Sequence, residues 1–302
     1  MSLTINRIDG EEYVKHVYPE KMLCQEIGEP SLKRNRILKI SNNKIIKIYG
    51  ETSRWLREVN SLRFLQYKDM ASPCIHATGR YLGFDWVVMS AIPGVILAEH
   101  TRFEPSNKHT AFYEVGIYHA RYHEICSVKY YGDWDFIEVD QSYASFIKRF
   151  HLEFIKSIQN ETRHDLTFFE KCFSLIDKFD TDFDYQGGFT LCHNDFDARN
   201  ILIDASSSKI TGIIDFERSF FAEPLFDMTR MLLLDNLENI DSSSYLKGYE
   251  DYVGYKINRS RLIYYLLLKG IHICSWSYDI AHDYYIKSKR LLENIVNEYC
   301  EE

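Results

Sequence analysis

The sequence predicts an α+β fold with a small β-rich N-terminal lobe and a larger, mainly helical C-terminal lobe. Short runs of β-branched and aliphatic residues fill the first part of the chain, and helical spacing of apolar residues dominates the rest. The chain has 302 residues, which is long enough for one large domain or for two lobes that share an interface, and 45% of its residues are hydrophobic, which can fill a core of that size. No internal repeat or low-complexity linker interrupts it, so we expect lobes over residues 1–92 and 93–302 that work as one unit.

The N-terminal lobe is predicted to contain a β-hairpin followed by a helix. Arg36 to Ile40 and Lys44 to Tyr49 have the composition of strands, and the turn-forming pair Asn42-Asn43 joins them. A helix is expected next, because apolar residues recur at helical spacing through Leu65. We expect Ser53 to be its N-cap, since a serine side chain accepts hydrogen bonds from the first free N–H groups of a helix.

Strand character returns from Ala77 to Ile92, around a turn region at Gly79 to Gly83, and stops at Pro93-Gly94. Beyond that point the apolar residues have helical spacing. The helices expected in the C-terminal lobe lie around Tyr113 to Tyr122, Tyr143 to Gln159, Phe168 to Phe179, Leu262 to Trp276 and Tyr284 to Tyr299.

Composition excludes several classes of protein. Charged residues make up 26% of the chain and the formal net charge is -8, which is unlike the basic surface of a nucleic-acid binder. The seven cysteines are scattered and form no C-x-x-C pair, so they are interpreted as reduced thiols. The longest apolar stretch, Leu262 to Leu268, is far shorter than the roughly 20 residues that cross a bilayer. We expect a cytoplasmic protein that needs no nucleic acid, membrane or obligate protein partner.

One polar loop carries most of the chemical information. Strand-like runs at Thr190 to Cys192, Asn200 to Ile203 and Ile210 to Ile214 surround the loop His193-Asn194-Asp195-Phe196-Asp197-Ala198-Arg199-Asn200 and lead to Asp215. The order is H-x-D-x4-N, followed fifteen residues later by an aspartate. Phosphoryl transfer needs one carboxylate to accept the hydroxyl proton, and an amide oxygen and a second carboxylate to hold magnesium. Alternatively, these residues form a polar turn between strands, or His193, Asp195 and Asp215 are the ligands of a metal hydrolase.

The loop and the aspartate after it resemble the H-G-D-x-x-x-x-N and I-D-F/W motifs of aminoglycoside phosphotransferases and choline kinases, distant relatives of protein kinases. The resemblance implies a bilobal protein-kinase-like fold with ATP or GTP bound between the lobes. It implies Asp195 as the catalytic base, Asn200 and Asp215 as Mg²⁺ ligands, and His193 as a residue that holds the loop in shape.

The family also has a phosphate-binding lysine on the third strand of the N-terminal lobe and a glutamate on the following helix. Lys47 and Glu58 match these positions. The segment before Gly94 resembles the hinge of the family, where the backbones of Ser90 and Ile92 would meet the purine. The phosphate loop is represented only by Gly28 to Lys33, which has one glycine rather than G-x-G-x-x-G.

The sequence departs from the related patterns at two places. Asn194 stands where the family commonly has glycine, and Glu217 stands where protein kinases have the glycine of D-F-G. Only eleven residues separate Asp215 from Asp227, too few for the segment that positions a peptide substrate, so a small-molecule acceptor is expected. Asp227 resembles the buried aspartate that braces the catalytic loop of the family. For Asp197 and Arg199 in the loop, contact with metal, nucleotide or substrate and a solvated position both stay open.

The sequence leaves the acceptor open. A cationic, aminoglycoside-like molecule is the first hypothesis, because carboxylates could pair with its amines; the candidates are Asp235, Glu238, Asp279 and Asp283. Aromatic residues would also suit choline through cation–π contacts, or the face of a macrolide or sugar; they are Trp276, Tyr278, Tyr284 and Tyr285. We therefore predict a small-molecule kinase that transfers the γ-phosphoryl group to a hydroxyl. The alternative from another class is a catalytically silent nucleotide-binding module.

Overall fold

The structure is a computed structural model of the chain. It describes residues 5, 9–19, 24–27, 34–103, 107–134, 136–137, 142–161, 164–180, 185, 187–207, 209–233 and 240–300. The predicted phosphate loop, Gly28 to Lys33, and two candidate acceptor residues, Asp235 and Glu238, lie outside the described residues.

The helices and strands of the described residues follow one another in a mixed order. In chain order the helices are α1 (Gly10–Val17), α2 (Thr52–Leu65), α3 (Leu97–Phe103), α4 (Lys108–Ile125), α5 (Tyr143–Asn160), α6 (Leu166–Asp180), α7 (Pro224–Leu233), α8 (Ser242–Val253), α9 (Arg259–Ile280) and α10 (His282–Cys300). The strands are β1 (Gln25–Ile27), β2 (Asn35–Ser41), β3 (Lys44–Tyr49), β4 (Ile75–Tyr81), β5 (Phe84–Ser90), β6 (Val95–Ile96), β7 (Ser127–Val128), β8 (Gly132–Asp133), β9 (Phe136–Ile137), β10 (Phe189–Cys192), β11 (Ile201–Ile203), β12 (Ile210–Ile213) and β13 (Phe220–Ala222).

The chain divides into two compact units. The first consists of residues 1–97 with 200–219, and the second of residues 98–199 with 220–302. The first unit contains an antiparallel sheet in the order β1-β2-β3-β5-β4 and a three-stranded sheet in the order β12-β11-β6. The second contains helices α4 to α10 and a sheet in the order β7-β10-β13-β8-β9. The α+β class predicted from sequence is confirmed, and the functional lobes 1–92 and 93–302 stay a prediction.

The predicted hairpin is formed by β2 and β3, with Asn42-Asn43 between them. β3 pairs with β2 on one side and β5 on the other, so it is a central strand. Successive side chains of a strand point to opposite faces. Ile46 and Ile48 therefore enter the hydrophobic core of the first unit, while Lys47 points to the opposite face, where it contacts Glu58 of α2.

Two local predictions for the first unit were wrong. Ser53 is not the N-cap of α2, because the helix begins at Thr52 and Glu51 is its N-cap. The hydroxyl of Thr52 donates to Asp85 Oδ2 at 2.7 Å. Gly79 is not part of a turn but lies in β4, where an added Cβ would come 2.8 Å from the Trp86 ring. The turn between β4 and β5 lies at Leu82-Gly83, and both residues have positive φ, 50° and 85°.

The second unit is built around α9, a helix of 22 residues that is buried along most of its length. The structure confirms the five helices predicted for this part of the chain, with ends that shift by a few residues. Among the described residues, no helix combines the length and apolar character needed to cross a membrane.

Candidate active site

Lys47 lies at the centre of a cluster of carboxylates in the first unit, which we call the lysine cluster: Lys47, Glu58, Asp215 and Glu217. Lys47 Nζ lies 2.6 Å from Glu58 Oε2, 2.6 Å from Asp215 Oδ1 and 2.9 Å from Glu217 Oε2. The hydroxyl of Tyr49 also donates to Glu58 Oε2, at 2.7 Å. The structure thus brings together three residues that the sequence predicted, and adds Glu217.

The lysine cluster is strongly charged despite its burial. Burial disfavours the charged form of Lys47, but Asp215, Glu217 and Glu58 outweigh it and hold the pKa of the ammonium well above its ordinary value. Burial likewise opposes the charge of Glu217, yet Lys47 and Arg54 lower the pKa of this carboxyl to about 2. Lys47 is therefore a fixed cation, held by carboxylates at neutral pH.

The predicted metal ligands Asn200 and Asp215 stand at the ends of a strand pair. Ile201 of β11 lies opposite Ile213 of β12, and the Asn200 carbonyl accepts the Ile214 N–H at 3.0 Å. Asp215 follows directly, with φ at 70°, a left-handed conformation that is uncommon outside glycine and often found at functional sites. The strand pair therefore brings the backbones of the two predicted ligand positions close together.

These two residues fit a magnesium ion by donor type and by access. Carboxylate and amide oxygens are the hard ligands that Mg²⁺ takes in proteins. Within the lysine cluster, the Asp215 side chain is 36% exposed, whereas Glu58 is 2% and Glu217 is 9% exposed. Asp215 is therefore the carboxylate of this cluster that a hydrated ion can reach.

Asp195 belongs to the second unit, in a loop that is held by its own backbone and by Asp227 of α7. The N–H groups of His193 and Asn194 donate to Asp227 at 2.8 Å and 2.6 Å, and the N–H of Asp195 donates to His193 Nδ1 at 3.3 Å. Asp227 and His193 are fully buried. Both residues support the loop that carries Asp195, in the way that the resemblance implied.

Two arginines pair with the carboxylates of the loop. Arg230 Nε lies 2.7 Å from Asp195 Oδ1 and 3.3 Å from Asp197 Oδ2. Arg199 donates to Asp197 Oδ1 through its backbone N–H at 2.8 Å and through its side-chain Nε at 3.1 Å. Burial opposes the charge of Arg230, but Asp195 and Asp197 outweigh it and raise the pKa of the guanidinium above its ordinary value. Asp197, itself fully buried, therefore helps to organise the loop from inside.

Asn194 stands where the family commonly has glycine, and a buried lysine supports it there. Its φ is 61°, in the left-handed region that glycine adopts without strain. Lys269 of α9, only 3% exposed, donates to the Asn194 carbonyl at 3.2 Å and to its side-chain oxygen at 2.5 Å. The lysine thus supports the backbone conformation immediately before Asp195.

Behind Asp227 lies a buried chain of hydrogen bonds between α4 and α8. His119 and His123 place Nε2 at 3.2 Å and 3.4 Å from Asp227 Oδ2. Their Nδ1 atoms lie 2.6 Å from the Tyr245 hydroxyl and 2.8 Å from the Tyr249 hydroxyl. Burial lowers the pKa of His119 to about 3, so it is neutral at pH 7. The two histidines with Asp227 have a metal-like arrangement, but every ring nitrogen already contacts a protein partner.

The residues predicted to meet the purine lie at the end of β5 and just beyond it. The N–H of Ser90 donates to the Cys74 carbonyl at 2.9 Å, and its hydroxyl accepts the Cys74 N–H at 2.8 Å. The amide and the hydroxyl of Ser90 are thus both engaged by Cys74. Ile92 follows Ala91, whose N–H donates to Asn43. The roles of Ser90 and Ile92 stay predictions.

Tyr284, one of the aromatic residues suggested for the acceptor, contacts an arginine of the Asp195 loop. The guanidinium groups of Arg199 and Arg230 lie 5.9 Å and 5.5 Å from the centre of its ring. Trp276 lies beside it, with ring centres 6.5 Å apart. Tyr285 is instead buried, and the acidic candidates Asp279 and Asp283 are exposed on α9 and α10. The structure therefore favours Tyr284 and Trp276 as the aromatic residues beside the loop.

Sequence reasoning missed three charged residues of this region. Arg230 and Lys269 stand in helices that are otherwise mostly apolar, and Glu217 follows Asp215 by two residues. A charge inside a helix that is buried on all sides must find a partner, and this signal was present in the sequence.

Comparison with solved structures supports the fold. A thermostable mutant of aminoglycoside phosphotransferase APH(4)-Ia, in a ternary complex with AMP-PNP and hygromycin B, is 14% identical; the match covers 96% of this chain and 98% of that one, with a TM-score of 0.77. A GDP and kanamycin complex of APH(2")-IIIa is 16% identical over 96% and 98% of the chains, with a TM-score of 0.71. Aminoglycoside-3'-phosphotransferase of type VIII is 17% identical over 87% and 98%, with a TM-score of 0.63. No curated protein sequence matches the chain.

The fold is the kinase-like fold of the aminoglycoside phosphotransferases. Residues 34–263 match the model of the phosphotransferase enzyme family, which covers most of the chain. The chain belongs to this family. It is therefore a phosphotransferase with an alcohol group as acceptor and, more broadly, a small-molecule kinase, and these predictions from sequence are confirmed.

Proposed function

We propose that the protein transfers the γ-phosphoryl group of ATP or GTP to a hydroxyl of an aminoglycoside-like acceptor. The observation that carries this proposal is the buried ion pair between Lys47 and Glu58, 2.6 Å long, beside Asp215. A cation that binds nucleotide phosphates needs a carboxylate partner to orient it, and kinases of this fold supply that pair from a strand and the next helix. The nucleotides and aminoglycosides bound in the similar structures support the same donor and acceptor classes.

In this proposal each charged residue has one task. Lys47, oriented by Glu58, binds the α and β phosphates of the nucleotide. Asp195 accepts the proton of the acceptor hydroxyl and directs its oxygen toward the phosphorus. Asn200 and Asp215 would hold Mg²⁺, which neutralises charge on the phosphate oxygens.

The proposal also explains why Lys47 has so many carboxylate partners. Asp215 Oδ1 and Glu217 Oε2 both lie within 3 Å of its ammonium, together with Glu58. Asp215 would be the carboxylate of this cluster that holds the metal, and Glu58 and Glu217 would keep the lysine in place. The cluster therefore holds the charge of Lys47 in a buried site before the phosphates arrive.

The experiment is a magnesium-dependent phosphate-transfer screen with ATP and with GTP. The acceptors are aminoglycosides, macrolides, choline and simple sugars, and Asp195→Asn provides the blank. We expect transfer to an aminoglycoside that the blank lacks. Transfer only to another class would correct the acceptor, and nucleotide binding without transfer to any of these would favour the silent module.

The roles of the two aspartates are separated by paired substitutions. Asp195→Asn should lower kcat by about 10²–10⁴-fold and leave nucleotide affinity close to that of the wild type, because a general base acts in the chemical step. Asp215→Asn should also weaken binding of the magnesium nucleotide. Asp251→Asn, at an exposed aspartate of α8, is the matched control and should change neither. Full turnover by Asp195→Asn would refute its role as base.

A further inference from the structure

Helix α7 presents two charged side chains to the loop around Asp195. Asp227 and Arg230 are three residues apart, so they lie on the same face of the helix. Asp227 accepts the N–H groups of the two residues before Asp195. One turn later, Arg230 pairs with the carboxylates of Asp195 and Asp197. The helix therefore holds the loop at two points: Asp227 binds the backbone of the loop, and Arg230 binds its carboxylate side chains.

The contact between Arg230 and Asp195 is short and enclosed. Nε lies 2.7 Å from Asp195 Oδ1, and the side chains of Arg230 and Asp195 are 9% and 18% exposed. Tyr284 of α10 covers the guanidinium, whose carbon lies 5.5 Å from the centre of the ring. A planar guanidinium that is packed against a ring loses little further freedom when it binds a carboxylate. Arg230 can thus fix the direction of the Asp195 carboxylate.

Other charged and titratable groups lie around this pair and make contacts of their own. On the loop, Arg199 pairs with Asp197, and His193 accepts the N–H of Asp195. From α9, Lys269 donates to Asn194. From α10, the hydroxyl of Tyr284 accepts from Arg199. Arg230 itself lies in direct contact with the Asp195 carboxylate.

We propose that Arg230 is a positioning residue for phosphoryl transfer, which holds the Asp195 carboxylate charged and aimed at the acceptor hydroxyl. This inference rests on the proposed function, because it assumes that Asp195 is the base. In this inference Arg230 acts through the Asp195 carboxylate, with which it is in direct contact. Its loss should therefore affect the chemical step and leave nucleotide binding intact.

The test measures kcat, the KM for nucleotide and the pH profile of kcat in wild type, Arg230→Met and Arg230→Lys. Arg230→Met should lower kcat about 100-fold, the size of effect expected when a reacting group is misplaced by about 1 Å. Its KM for nucleotide should stay close to that of the wild type. The acid limb of its profile should move to higher pH, because Asp195 loses the cation that favours its charged form. Arg230→Lys keeps a cation and should recover part of kcat and the wild-type acid limb.

Arg261→Met is the matched control, since Arg261 is also a partly buried arginine of the second unit but pairs with Glu223. Wild-type kcat in folded Arg230→Met, or an equal loss in Arg261→Met, would overturn the inference. If Arg230→Met does not fold, Arg230→Gln, which also removes the charge, replaces it. A wild-type protein that transfers no phosphate would overturn the proposed function itself, and this inference with it, before any variant is compared.

Discussion

At the scale of single residues, Asn194 shows how a left-handed position can be occupied without glycine. A φ of 61° is costly for most side chains, although asparagine tolerates it better than others. Lys269 compensates by donating to both oxygens of Asn194 from the neighbouring helix α9. The asparagine and the lysine thus act as a pair: Lys269 supplies hydrogen bonds to Asn194, and Asn194 supplies oxygen acceptors for the buried ammonium.

This pairing predicts non-additive effects in a double-mutant cycle. Lys269→Met alone should lower the free energy of unfolding by about 1–3 kcal/mol, because two buried oxygens of Asn194 lose their donor. In the Asn194→Gly background the same change should cost less, since glycine has no side-chain oxygen and adopts the conformation freely. Urea unfolding of the four proteins measures the coupling. Strictly additive losses would show that the two residues act independently.

Some residues of the site could be predicted from the sequence and others could not. Lys47 and Glu58 could be predicted because the resembled family has a lysine on the third strand and a glutamate on the next helix, and this chain has both residues eleven positions apart. The contact between Lys47 and Asp215 spans 168 residues and was not predicted, because the family motif indicated only a separate role for each residue. Arg230 and Lys269 were missed because a single charge within an apolar helix does not reveal its partner. That partner depends on which loop packs against the helix.

At the scale of elements, α4 and α8 approach each other closely through two glycines. A Cβ added at Gly116 of α4 would come 2.1 Å from the Tyr245 carbonyl, and one added at Gly248 of α8 would come 2.0 Å from the Tyr113 carbonyl. The glycines therefore let the two helix backbones touch. The same contact allows His119 and His123 to reach tyrosines of α8.

Gly248→Ala tests this close approach. The added methyl group would meet backbone, which cannot move aside as a side chain can, so stability should fall by about 2–3 kcal/mol. Gly270→Ala in α9 is the matched control, because its Cβ would meet the flexible end of Leu292 at 2.7 Å. There the loss should be smaller, since alanine also favours the helix by up to about 1 kcal/mol. Thermal unfolding compares the two variants, and equal losses would contradict the role of the α4–α8 contact.

Elements with a local signal were predicted well, and those fixed by distant contacts were not. The β2–β3 hairpin follows from two strand-like runs and an Asn-Asn turn. The start of α2 was misplaced, since its N-cap, Glu51, has no side-chain capping bond and its first residue, Thr52, instead contacts Asp85, 33 residues away. Helix α8 had no distinct prediction, because its burial depends on α4, more than a hundred residues earlier.

At the scale of the whole molecule, Glu223 links folding to pH. Its side chain is 4% exposed, accepts from the Tyr265 hydroxyl at 2.7 Å and lies 3.4 Å from Arg261. Burial raises the pKa of this carboxyl to about 7, against the opposing effect of both partners. Between pH 4.5 and 7 the native protein therefore binds a proton that the unfolded chain has lost. Because the native state holds more protons in this range, its stability falls as the pH rises through it.

Glu223→Gln should remove this part of the pH dependence. At about 1.4 kcal/mol for each unit of pKa, the wild type should lose roughly 2–3 kcal/mol between pH 5 and pH 8 through this group, and the variant should not. Denaturant unfolding at the two pH values measures the difference. Glu250→Gln is the control, because the pKa of Glu250 is lowered rather than raised and it stays ionised over this range. An unchanged slope in Glu223→Gln would refute the assignment.

The first unit is assembled from two separate stretches of chain, and this has a consequence for synthesis. Strands β11 and β12 and Asp215 lie in residues 200–219, yet they complete a unit that begins at the N-terminus. On the ribosome, the three-stranded sheet must wait until about two thirds of the protein has been made, because β6 pairs with β11. A gene cut at any one point between residues 97 and 200 would divide the first unit, so neither fragment would carry that unit whole. Two co-expressed fragments would have to recombine before Lys47 could meet Asp215.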